Sequence, residues 1–180
     1  MFFKRRPEGL LTVTNEDRIQ VRPYAKRDLE TVATVFTESV HELTGSRYSL
    51  EQRAAWAPVP PDLRQWRSRL RTLQTLIADV GSRCAGFLSY QPNGYIDLLY
   101  VRPTFERTGV ATRLYQCAEQ IFLDAGLESA YTEASLIAQP FFKRQGFHAT
   151  RFEDISVGGI VLQRWVMYKA LKKEEDPRRP

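Results

Sequence analysis

The sequence predicts a mixed α/β domain: a central, mostly antiparallel mixed sheet of about seven strands with helices on both faces. Three observations predict it. Apolar segments of strand length, alternating or continuous, recur between Ile19 and Ala170. Segments with apolar residues three and four apart fall between them, the spacing of a helix that covers a sheet. The short turn signals "GS" and "QPNG" join three successive strands, and so few residues can only reverse the chain, giving an antiparallel meander. With 180 residues and no internal repeat or linker, one domain with its own core is expected.

Taken in order, "IQVRPY" (19–24) alternates apolar and polar residues and reads as the first strand. "KRDLETVATVFTESVHEL" brings Leu29, Val32, Val35, Phe36 and Val40 onto one helical face. "TGSRYSLEQRAAWAPVPPDLRQWRSRLRT" holds two short helices, the first capped by Ser49 and ended by Pro58, Pro60 and Pro61, the second capped by Asp62. "LQTLIADV", "RCAGFLSYQ" and "YIDLLYV" form the meander. A helix from about Thr108 to Ala125 follows, then the strand "ESAYTEAS" and the short helix "IAQPFFKRQ", stopped at "GF". Two last strands, near 148–155 and 160–170, are joined through "SVGG". The domain spans 19–171, preceded by a loosely held extension at 1–18 and followed by a charged tail at 172–180 too polar to bury itself.

A chain that is 43% hydrophobic and 26% charged reads as an ordinary soluble protein. No apolar run approaches the roughly 20 residues that span a bilayer, and the basic start lacks the apolar core of a secretory signal. Cys84 and Cys117 stand apart, without CxxC spacing or neighbouring histidines, which argues against a metal site and for small core residues in a reducing cytoplasm. The formal charge of +5 raises the question of nucleic acid. Basic and acidic residues are mixed along most of the chain, however, and no aromatic RNA-binding signature is present. The surplus suits an anionic small molecule instead.

The helix expected from Thr108 begins badly. Its first turn carries Thr108, Gly109, Val110 and Ala111, small or β-branched residues that hold a helix end poorly. Such a start costs about 1 kcal/mol of propensity. It also leaves the unpaired amides of a first turn open to approach, and those amides with the helix dipole form an anion site. Thr108 and Thr112 can add hydroxyl donors. Gly109 and Ala111 also allow the helix to pack close to a strand, so the Gly-x-Ala pattern alone does not decide between the two roles.

The surrounding residues do. "VRPTFERTGVATRL" resembles the acyl-CoA motif of the GNAT acetyltransferase superfamily, and "AQPFFKRQGF" resembles that family's second motif. With "YSLEQRAAWA" added, the chain is similar to the bacterial YafP-type group of these enzymes. The resemblance runs from Ile19 to Ala170 and implies the GNAT fold, in which the fourth and fifth strands splay apart. It implies acetyl-CoA as co-substrate, with its diphosphate held by the main chain of Arg107, Thr108, Gly109, Val110, Ala111 and Thr112. The backbone of Leu99, Tyr100 and Val101 is then expected to pair with the pantetheine arm, with Ser135, Ala138 and Phe142 flanking arm and thioester. Two residues depart from the pattern. Glu106 stands where Gln or Arg is usual, and its charge repels a diphosphate unless Arg107 and Arg113 offset it. Phe142 stands where many members carry a tyrosine that protonates the leaving thiolate. A thiol of pKa about 8.5 leaves tolerably without that acid.

Amine acetylation needs the nitrogen lone pair. An alkyl amine of pKa about 10.4 must give up a proton at a cost of about 4.6 kcal/mol at pH 7, an α-amino group near 8 only about 1.4 kcal/mol. A base is therefore useful, and Asp97 and Glu133 are the candidates, acting through water. Both interrupt mostly apolar strands that the fold sets side by side. Period-2 alternation puts Asp97 on the face of Tyr95, Leu99 and Val101. Tyr131 shares the face of Glu133 and is a candidate substitute acid, although a strand tyrosine usually serves packing. Hydrogen bonding to backbone or arginine is the competing role for each carboxylate. Glu38, His41, Tyr48, Trp56 and Trp165 are expected to wall the acceptor. The sequence is thus read as an N-acetyltransferase acting on a primary amine of a small molecule or peptide by direct attack in a ternary complex, as monomer or homodimer. A non-catalytic acyl-CoA sensor is the alternative.

Overall fold

The computed structural model describes residues 18–171; the extension before Arg18 and the tail after Leu171 lie outside the described residues. These form seven strands: β1 (Ile19–Pro23), β2 (Gln74–Val80), β3 (Arg83–Tyr90), β4 (Tyr95–Val101), β5 (Ser129–Ser135), β6 (His148–Val157) and β7 (Ile160–Ala170). Five α-helices accompany them: α1 (Leu29–Leu43), α2 (Leu50–Trp56), α3 (Leu63–Leu70), α4 (Val110–Asp124) and α5 (Gln139–Arg144). The short helices start where the sequence caps them. Ser49 Oγ accepts from the Gln52 amide while Gln52 Oε1 accepts from that of Ser49, and Asp62 Oδ1 accepts from the amides of Arg64 and Gln65.

The strands lie in one sheet in the order β1-β2-β3-β4-β5-β7-β6. Every neighbouring pair is antiparallel except β4 and β5, which α4 connects as a parallel crossover. One face buries Val32, Val35 and Phe36 of α1 and Trp66 and Leu70 of α3 against Ile77, Phe87 and Leu98. The other buries Val110, Leu114, Ala118 and Phe122 of α4 and Phe142 of α5 against Leu88, Ile96, Ala134 and Met167. Gly86 lets α4 come this close: a Cβ there would lie 2.7 Å from the Tyr100 carbonyl oxygen and 3.0 Å from Val110 Cγ1.

The parallel pair is the weak seam of the sheet. Only Tyr95 with Tyr131 and Ile96 with Thr132 face each other, and the Thr132 hydroxyl donates to the Ile96 carbonyl at 2.8 Å. Beyond that point β4 stays with β3, through Leu99 opposite Leu88 and Val101 opposite Gly86, while β5 stays with β7. The splay thus opens where it was expected, and it leaves the later half of β4 with an unpaired edge.

One expectation about β4 fails. Ser89 faces Leu98 and Tyr90 faces Ile96, so Asp97 is an extra residue, a β-bulge, with no partner of its own. The bulge breaks the alternation that placed Asp97 with Leu99 and Val101. Leu99 and Val101 pack toward α4, whereas Asp97 reaches Arg69 of α3 on the opposite face.

Candidate active site

The chain leaves β4 through a 3₁₀ turn at Pro103–Phe105 and enters α4 at Gly109. Arg107 has φ +59° and Gly109 φ +93°, so two left-handed residues bend the connection. At Gly109 this is free of cost; at Arg107 it is a strained conformation for a residue with a Cβ. Tight turns of this kind turn consecutive amides outward as anion-binding nests. Among the described residues, the amides of Arg107, Gly109, Val110, Ala111 and Thr112 have no hydrogen-bond partner, the first helical bond being Arg113 N–H to Gly109 O at 2.9 Å. Thr108 differs from the expectation. Its amide (3.4 Å) and its hydroxyl (2.7 Å) both turn to the Phe105 carbonyl, so its hydroxyl donor closes the turn instead of facing outward. Glu106, Arg107 and Arg113 are exposed.

The splay holds a cavity of about 330 Å³. Its floor is β4 from Tyr95 to Tyr100, and Thr132, Glu133, Ala134 and Ser135 of β5 form the opposite side. Ala138 and Phe142 close one end, with Ser135 Oγ accepting the Ala138 amide at 3.1 Å. The other end is aromatic: Phe36, Tyr48, Trp56 and Tyr100. Tyr48 is the strut of this wall. Its hydroxyl donates to the Gln163 carbonyl at 2.7 Å and accepts the Leu136 amide at 2.9 Å, tying the segment before α2 to β7 and to the loop after β5. Burial raises the pKa of that hydroxyl, so it stays a neutral donor.

Both carboxylates singled out in the sequence line this cavity, each with an arginine. Arg69 places Nε at 3.0 Å and Nη2 at 2.9 Å from Asp97 Oδ2, leaving Oδ1 without a partner among the described residues. Glu133 Oε2 accepts the Tyr95 hydroxyl at 3.0 Å and meets Arg164 Nη1 at 2.5 Å. Arg164 is itself shared with Glu153 at 2.6 Å. Burial, together with the Glu133 carboxylate, raises the Tyr95 pKa above that of a free phenol, so Tyr95 holds its proton on Glu133. Tyr131 does not line the cavity: its hydroxyl accepts from Asn93 Nδ2 at 2.7 Å in the turn before β4. Phe142 is buried and lines the cavity.

Of the expected acceptor wall, Tyr48 and Trp56 line the cavity and three residues do not. Glu38 is held by Arg102 at 2.9 Å, a pair that fastens α1 to the end of β4. His41 Nε2 lies 2.8 Å from the Ala57 carbonyl, and the carbonyl of His41 accepts from Arg53, so this histidine braces the loop after α2. Trp165 packs on Phe152 with ring centroids 4.7 Å apart, within the β6–β7 ribbon. Arg69, Arg164, Leu162, Ile155 and Val157 reach the cavity without having been singled out. They come from α3 and the final hairpin, remote in sequence from either motif, and no local pattern distinguishes them from surface or sheet residues.

An unpaired strand edge leading into a helix start with open amides, beside a splayed parallel pair, defines an acyltransferase of the GNAT fold. The acetyltransferase (GNAT) domain pattern matches residues 45–169, and the chain belongs to that family. It is 31% identical over 152 residues to the N-acetyltransferase YafP of Escherichia coli K12, itself uncharacterised, a match covering 84% of this chain and 95% of that one. The crystal structure of a GCN5-related N-acetyltransferase from Rhodopseudomonas palustris superposes with a TM-score of 0.81 at 33% identity, over 84% of this chain and 95% of that one. The PaiA N-acetyltransferase of Thermoplasma acidophilum, solved with coenzyme A, shares the fold with a TM-score of 0.67 at 22% identity, over 84% and 98% of the two chains.

Proposed function

We propose that the protein transfers an acetyl group from acetyl-CoA to a primary amine, by direct attack with both substrates bound. The observation that carries this reading is the continuity of the unpaired β4 edge with the open amides at Arg107 and from Gly109 to Thr112. A pantetheine arm pairs with such an edge as an added strand, and a diphosphate takes the amides. Ser135, Ala138 and Phe142, at the same cleft, flank the arm.

The ammonium of the acceptor first loses a proton to solvent. The nitrogen then bonds to the thioester carbon as the C–S bond breaks, and its second proton passes through water to a carboxylate. Asp97 is the favoured acceptor of that proton. It stands at the bulge of the strand that carries the arm, and both guanidinium bonds fall on Oδ2, leaving Oδ1 for water. Glu133, bonded to Tyr95 and Arg164, orients the far wall. With Phe142 apolar, the sulfur leaves as thiolate and takes its proton from solvent.

Thiol release from acetyl-CoA, followed across a panel of primary amines, tests the reading. The expected result is amine-dependent release with a stoichiometric N-acetyl product. Tight binding of acetyl-CoA without release for any amine would instead support a sensor, and indifference to acetyl-CoA would remove both.

A further inference from the structure

The aromatic end of the cleft does not stop at Trp56. A second cavity of about 270 Å³ lies between α1, the proline-rich loop after α2, and the start of α3. It shares Phe36, Trp56 and Arg69 with the first, so the two chambers meet at those three side chains. Its remaining walls are Trp66, Pro58, Pro60 and Pro61, together with Thr37, Gln65 and Asp62, the last occupied in capping α3. α2 buries none of its own residues, and Trp56 at its end is only half-buried. The tryptophan makes T-shaped contacts with Tyr48 (5.2 Å) and Tyr100 (6.5 Å) and lines both chambers.

Arg69 occupies that junction. Two of its nitrogens are committed to Asp97 Oδ2; among the described residues Nη1 has no partner, and the side chain is 46% exposed. Three features therefore follow one another along the cleft: a carboxylate at the bulge, a guanidinium with a free N–H edge, and a chamber of aromatic and proline walls. An ammonium, a carboxylate and an apolar side chain on one carbon match that sequence group by group.

Resting on the acetyl-transfer reading above, we infer that the acceptor is an α-amino acid with a large apolar or aromatic side chain. Its amine sits by Asp97, its carboxylate on Arg69, and its side chain in the second chamber. The products are the N-acetyl amino acid and free CoA thiol. A guanidinium is suited to this role because it binds a carboxylate through two donors, and flat side chains gain from edge-on and stacked aromatic contacts.

The test compares L-phenylalanine with phenethylamine, which lacks the carboxylate, and with glycine, which lacks the side chain, by thiol release at saturating acetyl-CoA. The expected kcat/KM for phenylalanine exceeds that for phenethylamine by about tenfold or more, the size of one charge-assisted hydrogen bond, and that for glycine by a similar factor, about the worth of burying the ring. Arg69→Gln brings the phenylalanine-to-phenethylamine ratio close to one. Because that variant deprives Asp97 of its counter-ion for both amines alike, the ratio isolates the carboxylate contact. Gln65→Trp, which adds bulk to the second chamber from an exposed position on α3, lowers the phenylalanine-to-glycine ratio. A rise in melting temperature with acetyl-CoA shows that each variant is folded. Phenethylamine or glycine used as well as phenylalanine by the unaltered protein overturns the inference and leaves acetyl transfer standing. So does acetyl-CoA binding with no turnover of phenylalanine, or a carboxylate preference that survives Arg69→Gln. No response to acetyl-CoA removes the inference together with the reading beneath it.

Discussion

Asp97 and Glu133 are both carboxylates beside an arginine, yet their surroundings set them apart. Glu133 Oε2 is committed twice, to Tyr95 and to Arg164. Asp97 has one oxygen committed and stands where the strand bulges toward the open cleft. If Asp97 takes the proton, Asp97→Asn lowers kcat/KM by about 10²–10⁴, the usual worth of a general base. Glu133→Gln costs clearly less. A loss of that size with Glu133→Gln and not with Asp97→Asn reverses the assignment. Arg22 and Asp28 show the structural use of the same chemistry. Arg22 donates to Asp28 at 2.8 and 2.9 Å and to Asp79 at 2.7 Å, pinning the start of α1 to β1 and β2. Hydrogen bonding to Arg22 holds the Asp28 carboxyl below its ordinary range. A folded-state pKa below the unfolded one means the stabilisation is complete above about pH 4 and is lost as pH falls further. Asp28→Asn is expected to destabilise the protein by about 2 kcal/mol at pH 7. In urea titrations the difference between the two proteins shrinks below about pH 4. A difference that persists unchanged at pH 3 would rule this linkage out.

The element that most repays substitution is the first turn of α4. Gly109 is the obvious place to insert a charge, but its φ of +93° makes any side chain there strained, so lost binding and lost folding become confused. Ala111 lies one residue inside the helix, partly exposed and with an unpartnered amide. A glutamate at such a position favours the helix dipole by about 0.3–1 kcal/mol while repelling a diphosphate. Ala111→Glu is therefore expected to keep or slightly raise the melting temperature of the ligand-free protein and to weaken acetyl-CoA by about a hundredfold or more, read by calorimetry. Unchanged affinity in that variant would remove the phosphate from this turn. The turn was legible in the sequence because its signal is local: small residues opening an otherwise sound helix. The caps at Ser49 and Asp62 were legible for the same reason. The face of Asp97 was not, since a bulge depends on the register with β3, and alternation along β4 alone gives the wrong side. That Glu38, His41 and Trp165 lie outside the cavity was hidden on similar grounds. Each is a polar or aromatic residue near the right end of the fold, and only packing reveals that Arg102, the Ala57 carbonyl and Phe152 already engage them.

Across the whole molecule, the sheet is two ribbons, β1–β4 and β5–β7, joined through two facing residue pairs. α4 spans the seam from one side, where Phe122 meets Tyr90 of β3 and Tyr115 meets Phe147 just before β6. On the other side the cleft stands open between the ribbons. A ligand that pairs with the β4 edge and touches β5 and α5 completes the sheet's missing contacts. Its binding energy then adds directly to the folding free energy, because the unfolded chain has neither edge nor nest. At one hundred times its dissociation constant acetyl-CoA should add about 2.7 kcal/mol, which for a domain of this size raises the melting temperature by roughly 5–11 °C. The location of the effect matters more than its size. Amides of the unpaired half of β4 and of the turn into α4 should exchange hydrogen markedly more slowly with acetyl-CoA bound, and those of β1 and β2, already paired, should change least. CoA without the acetyl group should protect the same segments, since the proposed holds are on the diphosphate and the arm. Thermal stabilisation accompanied by protection only at the distant β6 edge would mean that the ligand binds elsewhere, and the seam between β4 and β5 would lose its role as the place where the two substrates meet.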